Sequence, residues 1–139
     1  MSCEGLINFR VEDRHDDSES FQKYLLDILE ILKVKQIDEA YLVMNNLQIQ
    51  NVEHIRNKIS EFKHLTLFMP PYSPFLNPVE NLFAKWQELV RHSNSRTAAE
   101  LFSTIETCSA SITVTDCFGF YRNMKSYLRD CIQGRPIEN

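Results

Sequence analysis

Cysteines and histidines are the side chains of this sequence that could bind a transition metal or act as nucleophiles, and there are four of each. Zinc sites bring them together at short, fixed spacings such as C-x-x-C or H-E-x-x-H, and neither spacing occurs. The residues are instead scattered: Cys3, Cys108, Cys117, Cys131, His15, His54, His64 and His92. The pattern gives a structural zinc site little support and favours reduced thiols on apolar helix faces, with histidines at the surface.

Positive side chains are concentrated in the second half of the chain. Residues 1–50 contain five Lys or Arg against ten Asp or Glu, whereas residues 85–139 contain seven against six. Because a phosphate backbone attracts local positive potential, the basic residues near one predicted helix are the candidate nucleic-acid-binding surface. These residues are Lys85, Arg91, His92 and Arg96. The net charge of −4 argues mildly against a dedicated nucleic-acid binder, and solvated helix faces are the plainer explanation.

Hydrophobic spacing predicts alternating strands and helices in the first half of the chain. Gly5–Val11 has the pattern of a short strand. Apolar residues recur at intervals of three and four between positions 21 and 32, which indicates an amphipathic helix. Ala40–Met44 and Leu65–Met69 are continuous apolar runs, as expected for strands covered on both faces. Between these two runs, Asn51 is placed to cap a second helix.

Prolines and capping residues predict the rest of the elements. Three prolines in residues 70–74 predict an extended loop, because each fixes its own φ and disfavours helix at the residue before it. Asn77 is a good N-cap and Pro78 suits a first helical position, so a third helix should begin there. Residues 97–100 have the spacing of a capping box and predict a fourth helix, and Thr115-Asp116 predicts the start of a fifth.

The order strand, helix, strand, helix, strand predicts an α/β protein whose later strands are parallel. A chain of 139 residues is enough for one compact domain, and no repeat or flexible linker divides it, so we expect a single domain over residues 1–139. The longest apolar runs are far shorter than the ~20 residues that span a bilayer, and the start lacks a signal-peptide pattern. We therefore expect an intracellular protein without a membrane partner.

The segment from Pro70 to Asn81 is the most specific motif of the sequence and reads Pro-Pro-Tyr-Ser-Pro-Phe-Leu-Asn-Pro-Val-Glu-Asn. It resembles the P-P-Y-S-P-x-L-N-P-[IV]-E-N motif of mariner-type and related insertion-sequence transposases of the DDE superfamily. The resemblance implies a truncated RNase H-like fold of about three strands, with flanking helices and a helical carboxy-terminal region. The motif positions are Pro71, Tyr72, Ser73, Pro74, Asn77, Pro78 and Glu80.

In that family the glutamate of the motif is the third member of an Asp, Asp, Glu metal-binding triad, and by resemblance this residue is Glu80. The second carboxylate follows a buried strand in a pattern like L-V-x-D-N-A-x-x-H, which corresponds to Leu42–Gln50. Positions 46 to 79, 34 residues, separate the two sites, as in many members of the family. The chain departs from the pattern twice, with Asn45 in place of the aspartate and Gln50 in place of the histidine.

The first family carboxylate belongs to a strand that the resemblance places before residue 1. Without that strand a sheet edge stays unpaired, so we expect a homo-oligomer or a partner chain to cover it. Glu80 would remain as the one metal ligand, whereas the family uses two Mg²⁺ or Mn²⁺ ions, which need several anionic oxygens. We therefore expect no cofactor and no DNA cleavage by this chain alone.

The leading interpretation is a transposase-derived, inactive domain with residual DNA binding or a role in transposition, nuclear if the source is a eukaryote. The ancestral activity is metal-dependent DNA cleavage and strand transfer. Two alternatives stay open: an interaction or oligomerisation module that uses the fold as a scaffold, and a strand transferase completed by another chain. Plain structural roles also fit, because Glu80 suits the first turn of a helix and Asn45 the end of a strand.

Overall fold

The computed structural model describes residues 1–12, 18–45 and 51–137. Within these ranges it is a mixed α/β protein, which confirms the predicted class. The elements are α1 Ser18–Val34, β1 Tyr41–Met44, α2 Val52–Glu61, β2 Leu65–Phe68, a 3-10 helix Pro74–Leu76, α3 Pro78–His92, α4 Ala98–Ser109 and α5 Val114–Ile132. The chain divides into two compact units, an α/β unit of residues 12–73 and a helical unit of residues 1–11 and 74–139.

The α/β unit contains a parallel strand pair joined through α2, as the alternating pattern predicted. β1 and β2 pair with Tyr41 opposite Leu65. At the far end of the pair, the backbone N–H of Met69 donates to the carbonyl of Met44 at 2.8 Å. The two strands therefore end side by side, with their carboxyl ends at the same edge of the sheet.

Both helices of the α/β unit pack on one face of this sheet. Leu42 and Met44 of β1 pack against a core whose buried residues come from α1 and α2: Leu25, Leu29, Ile55 and Ile59. Because side chains of a strand alternate between faces, the neighbours of Leu42 and Met44 point the other way. This bare sheet face consists of Tyr41, Val43, Leu65 and Leu67, which are 67%, 48%, 49% and 52% exposed. The prediction that β1 and β2 are covered on both faces is therefore wrong for the described residues.

The helical unit is built around α3, α4 and α5. Its buried residues are Leu82, Trp86, Ile112 and Cys117. Trp86 anchors the packing, because its Nε1–H donates to the carbonyl of Ile105 in α4 at 2.9 Å. The ring of Phe9 meets the Trp86 indole edge-on, with centroids 4.9 Å apart.

The stretch Gly5–Val11, predicted as a strand, is irregular in the structure. Its one ladder contact is an isolated antiparallel bridge between Ser2 and Gly5, and the described residues hold two strands instead of about three. Leu6 and Phe9 pack against the core of the helical unit instead. Alternating apolar residues can pack against helices as well as form a sheet. The pattern therefore predicted correctly that Leu6 and Phe9 pack against a core, but predicted the wrong backbone conformation.

Two helix starts differ in detail from the predictions. Asn51 precedes α2 but has a left-handed backbone, with φ of 63°, and its side chain makes no capping hydrogen bond. α5 begins at Val114, two residues earlier than Thr115-Asp116 suggested. Thr113 and Asp116 form a full capping box there, with Thr113 Oγ1 accepting from the Asp116 N–H at 3.1 Å and Asp116 Oδ2 accepting from the Thr113 N–H at 2.8 Å.

In the predicted capping box of α4, one hydrogen bond involves the residue before the expected one. Thr97 Oγ1 accepts from the N–H of Glu100 at 3.1 Å. The Glu100 carboxylate, however, accepts from the N–H of Arg96 at 2.8 Å. The predicted N-cap Thr97 is therefore confirmed, whereas the second hydrogen bond of the predicted box comes from the N–H of Arg96 and not from that of Thr97. None of the helices in the described ranges has the length and apolarity needed to cross a membrane.

Candidate functional site

The start of α3 is held by Asn77 rather than by the glutamate that follows it. The N–H of Asn77 donates to the carbonyl of Pro74, in the 3-10 helix, at 2.9 Å. Asn77 Oδ1 accepts from the N–H of Val79 at 3.2 Å, which confirms the predicted N-cap. Pro78, at the first helical position, is buried. The Asn-Pro pair of the motif therefore fixes the position of the first turn of α3.

The carboxylate of Glu80, in this first turn, bonds to none of the described residues. Glu80 is exposed, and its side chain has no hydrogen bond or ion pair with any residue that the structure describes. In a capping box it would accept from the N–H of Asn77, but that N–H already donates to Pro74. The capping-box explanation of Glu80 is therefore not realised. The position near the amino end of a helix still favours a negative charge.

Asn45 lies at the carboxyl edge of the sheet in the α/β unit. It follows β1 directly, is exposed, and comes one residue after the last paired position of the strand. Open α/β sheets commonly bind ligands at the carboxyl ends of their strands. Residues 46–50, with Gln50 among them, lie outside the described residues. Asn45 and Glu80 belong to different units of the chain.

The proline loop of the motif is a turn rather than the extended segment that the prolines predicted. Residues 71 and 72 form the turn, where Tyr72 has a left-handed backbone with φ of 55° and a side chain that is 95% exposed. Ser73 Oγ donates to the carbonyl of Pro71 at 3.2 Å. A single residue with positive φ reverses the chain without violating the constraint that each proline places on its own φ.

The predicted basic surface is partly neutralised by acidic neighbours. Lys85 Nζ lies 2.6 Å from the carboxylate of Asp116, and this contact, together with the N–H of Thr113, lowers the pKa of Asp116 to about 2. His92 Nε2 lies 3.8 Å from the carboxylate of Glu88. Arg91 and Arg96 are exposed. Nucleic-acid binding by the four residues stays a prediction, and Lys85 is the least available of them.

The thiols and imidazoles were interpreted correctly in most cases. The four cysteines are free, and burial raises the pKa of the Cys117 thiol, as expected for an inert core cysteine. His64 contradicts the expectation of surface histidines, since it is 4% exposed. Its Nδ1 accepts from the N–H of Ala40 at 3.1 Å, which ties the residue before β1 to the residue before β2. His15 lies outside the described residues.

The donors at the two candidate positions do not fit a two-metal centre. Within residues 1–12, 18–45 and 51–137, no three His, Cys, Asp or Glu side chains converge as a metal-binding group. Position 80 offers a carboxylate and position 45 a neutral carboxamide. Two divalent cations a few ångströms apart repel one another strongly, and carboxylates are the ligands that offset this repulsion.

The chain thus combines an α/β unit that contains a parallel strand pair with a helical unit in which the first turn of α3 carries the exposed Glu80. A family model described as DDE superfamily endonuclease matches residues 1–102 of the 139. The chain therefore belongs to the DDE superfamily endonucleases and is a transposase-like domain. A comparison with curated proteins finds no significant match. The matched range contains Asn45 and Glu80 and ends within α4, so α5 lies outside it.

Proposed function

We propose that the chain is an RNase H-like domain derived from a mariner-type transposase, which does not cleave DNA by itself and retains DNA binding or another role in transposition. One observation carries the proposal. Glu80 is exposed at the start of α3 and bonds to none of the described residues. It lies in the motif where the family places its third carboxylate, while position 45 carries an asparagine. Membership of the DDE superfamily supports the same assignment.

The expected inactivity follows from the charge of the donors. Phosphodiester cleavage in this superfamily relies on two Mg²⁺ ions that activate the attacking oxygen and stabilise the leaving one. An asparagine at position 45 offers a neutral carboxamide where the family has a carboxylate. Glu80 alone would supply too little negative charge to hold two divalent cations.

A plasmid-nicking assay with Mg²⁺ or Mn²⁺ tests this proposal. The wild-type protein should leave supercoiled DNA intact, and Glu80→Gln should behave identically. Glu88→Gln, an exposed glutamate on the same helix, is the matched control. If the wild type and Glu88→Gln nick the plasmid and Glu80→Gln does not, the proposal of an inactive domain is wrong.

A second candidate function is a strand transferase whose missing carboxylates come from another chain. The free carboxylate of Glu80 favours it, because nothing in the described structure uses that group. The test combines the wild-type protein, and in parallel Asn45→Asp protein, with a polypeptide that carries the family's first strand. Metal-dependent cleavage by the wild-type mixture that also requires Glu80 would support completion by a partner. No cleavage by the mixture, with both chains shown to associate, would contradict it.

The bare sheet face supports a third candidate, an interaction or oligomerisation module. Parallel sheets are almost always covered on both faces, yet one face of β1 and β2 exposes four apolar side chains. We infer that a second copy or a partner chain covers the sheet. Light scattering should give a mass above the 16.3 kDa of one chain. Val43→Lys with Leu67→Lys should shift that mass to 16.3 kDa, whereas a monomeric wild type would contradict self-association.

A further inference from the structure

α5 presents a row of basic side chains on the surface opposite its packed face. Arg122, Lys125 and Arg129 are all exposed and follow one another at intervals of three and four residues. This spacing places them along one side of a helix. We call these three residues the α5 basic stripe. Arg122 and Arg129 are separated by about 10 Å along the helix axis, from a rise of about 1.5 Å per residue.

The packed face of α5 lies on the other side of the helix. Cys117 is fully buried and Phe120 packs against the core of the helical unit. Tyr127 contacts the ring of Phe75, with centroids 5.5 Å apart. At 100° per residue, these three residues point between about 140° and 220° away from Arg122. The α5 basic stripe therefore lies on the side of the helix opposite these packed residues.

The charges of the stripe are not balanced by neighbouring acids. α5 has two carboxylates, and both have cationic neighbours: Asp116 lies 2.6 Å from Lys85 and Asp130 lies 3.7 Å from Arg135. The three side chains of the stripe make no ion pair with any residue that the structure describes. A chain whose net charge is −4 thus concentrates three positive charges on one helix side, and none of the described acidic residues pairs with them.

We propose that the α5 basic stripe binds the phosphate backbone of DNA. Phosphates of one strand follow each other at about 3.4 Å along the duplex axis, so a stripe of about 10 Å faces about three of them. The inference rests on the DNA-binding role proposed above and assigns that role to a surface outside the matched family range. It also assigns the contact to residues other than Lys85, Arg91, His92 and Arg96.

An anionic membrane is the competing ligand for a basic helix. Phe118 and Ile132 of α5 are 60% and 83% exposed, and basic helices with exposed apolar residues can bind acidic lipid surfaces. Membership of a DNA-processing superfamily favours the nucleic acid. Vesicles that contain phosphatidylserine therefore belong in the test as the alternative ligand.

Fluorescence anisotropy with a labelled duplex of arbitrary sequence tests the proposal. The stripe variant is Arg122→Gln/Lys125→Gln/Arg129→Gln. The matched control is Lys23→Gln/Lys33→Gln/Lys35→Gln, which changes net charge equally at exposed positions of the α/β unit. A third variant, Arg91→Gln/His92→Gln/Arg96→Gln, removes the basic residues predicted from sequence that remain exposed. Circular dichroism establishes that all variants are folded.

The expected result is a change in the salt dependence of binding. Losing three phosphate contacts should reduce the slope of log K against log salt by about 2.7 in the stripe variant alone. Between about 50 and 200 mM salt, the affinity of the stripe variant should therefore fall about 40-fold less than the affinity of the wild type. Wild-type binding that is unchanged in the stripe variant overturns this inference and leaves the proposed function standing. No DNA binding by the wild type at low salt, or binding to vesicles alone, overturns both the inference and the DNA-binding role.

Discussion

The contact between Lys85 and Asp116 should make the stability of the helical unit depend on pH. Lys85 lies on α3 and Asp116 in the capping box of α5, so the pair joins two helices of this unit. The pKa of Asp116 is lowered from 3.8 to about 2, first by the hydrogen bond from Lys85 and then by the N–H of Thr113. A carboxyl group whose pKa is lower in the folded state stabilises that state above its unfolded pKa.

The size of the effect can be bounded from the same contact. A pKa lowered from 3.8 to about 2 corresponds to about 2.4 kcal/mol, at about 1.36 kcal/mol per pKa unit. The side chains of Lys85 and Asp116 are, however, 33% and 23% exposed. Solvent screening reduces the value for such a pair to about 1 kcal/mol. This contribution should be complete at neutral pH and should disappear as the pH falls from about 4 through about 2.

A double-mutant cycle isolates the pair from the other roles of Asp116. The proteins are the wild type, Lys85→Gln, Asp116→Asn and the double variant, unfolded by urea at pH 7 and at pH 2. Fluorescence of Trp86, the single tryptophan, reports on the helical unit. We expect a coupling free energy of about 1 kcal/mol at pH 7 that becomes small at pH 2 and is weakened by salt. The same coupling at both pH values, or none at pH 7, would refute the reasoning.

Three further substitutions test the packing and capping contacts by urea unfolding monitored with circular dichroism. Thr113→Ala should lower the free energy of unfolding by about 1 kcal/mol through loss of the capping box, while Thr115→Ala should change it little; equal effects would contradict the observed start of α5. His64→Phe should cost about 1–3 kcal/mol, because the Ala40 N–H loses its acceptor, and exposed His54→Phe serves as the control. Trp86→Phe should cost about 1 kcal/mol or more through loss of the hydrogen bond to Ile105, and a cost no larger than that of exposed Phe83→Leu would show that this contact is unimportant.

Local sequence patterns were sufficient to predict most of the elements. Apolar spacing identified α1, and the Asn-Pro pair identified the start of α3. The two apolar runs were correctly assigned as parallel strands, because each is too short for a typical helix and the two alternate with helical segments. These features depend on neighbours within a few residues, and the sequence contains those neighbours.

Features that depend on distant parts of the chain were not predictable in this way. Gly5–Val11 has a strand pattern, but its apolar side chains pack against the helical unit. No local signal in the sequence distinguishes pairing in a sheet from packing on helices. The exposure of Val43 and Leu67 could not be foreseen either, since a continuous apolar run indicates cover without saying what provides it. The pairing of Lys85 with Asp116 joins residues that are far apart in sequence, so the sequence did not reveal that a carboxylate neighbours this basic residue.

The residues of the candidate site were predicted from a sequence motif and not from hydrophobic patterns or charge. Glu80 and Asn45 were chosen because a twelve-residue segment and a fixed interval matched a known pattern, and the family match covers both. Their relative placement is a property of how the two units assemble, which spacing along the chain does not determine. The α5 basic stripe had a detectable signal, three basic residues at intervals of three and four, but the nucleic-acid-binding surface predicted from the sequence did not include it.

The hydrogen bond from the Asn77 N–H to the Pro74 carbonyl determines how substitutions at residue 80 can be interpreted. Because that bond secures the helix start without help from the acidic side chain, folding and chemistry are separable at this position. Removing the charge should leave the melting behaviour close to that of the parent. Any loss of metal or DNA binding in such a protein can then be attributed to the missing negative charge itself and not to a damaged scaffold.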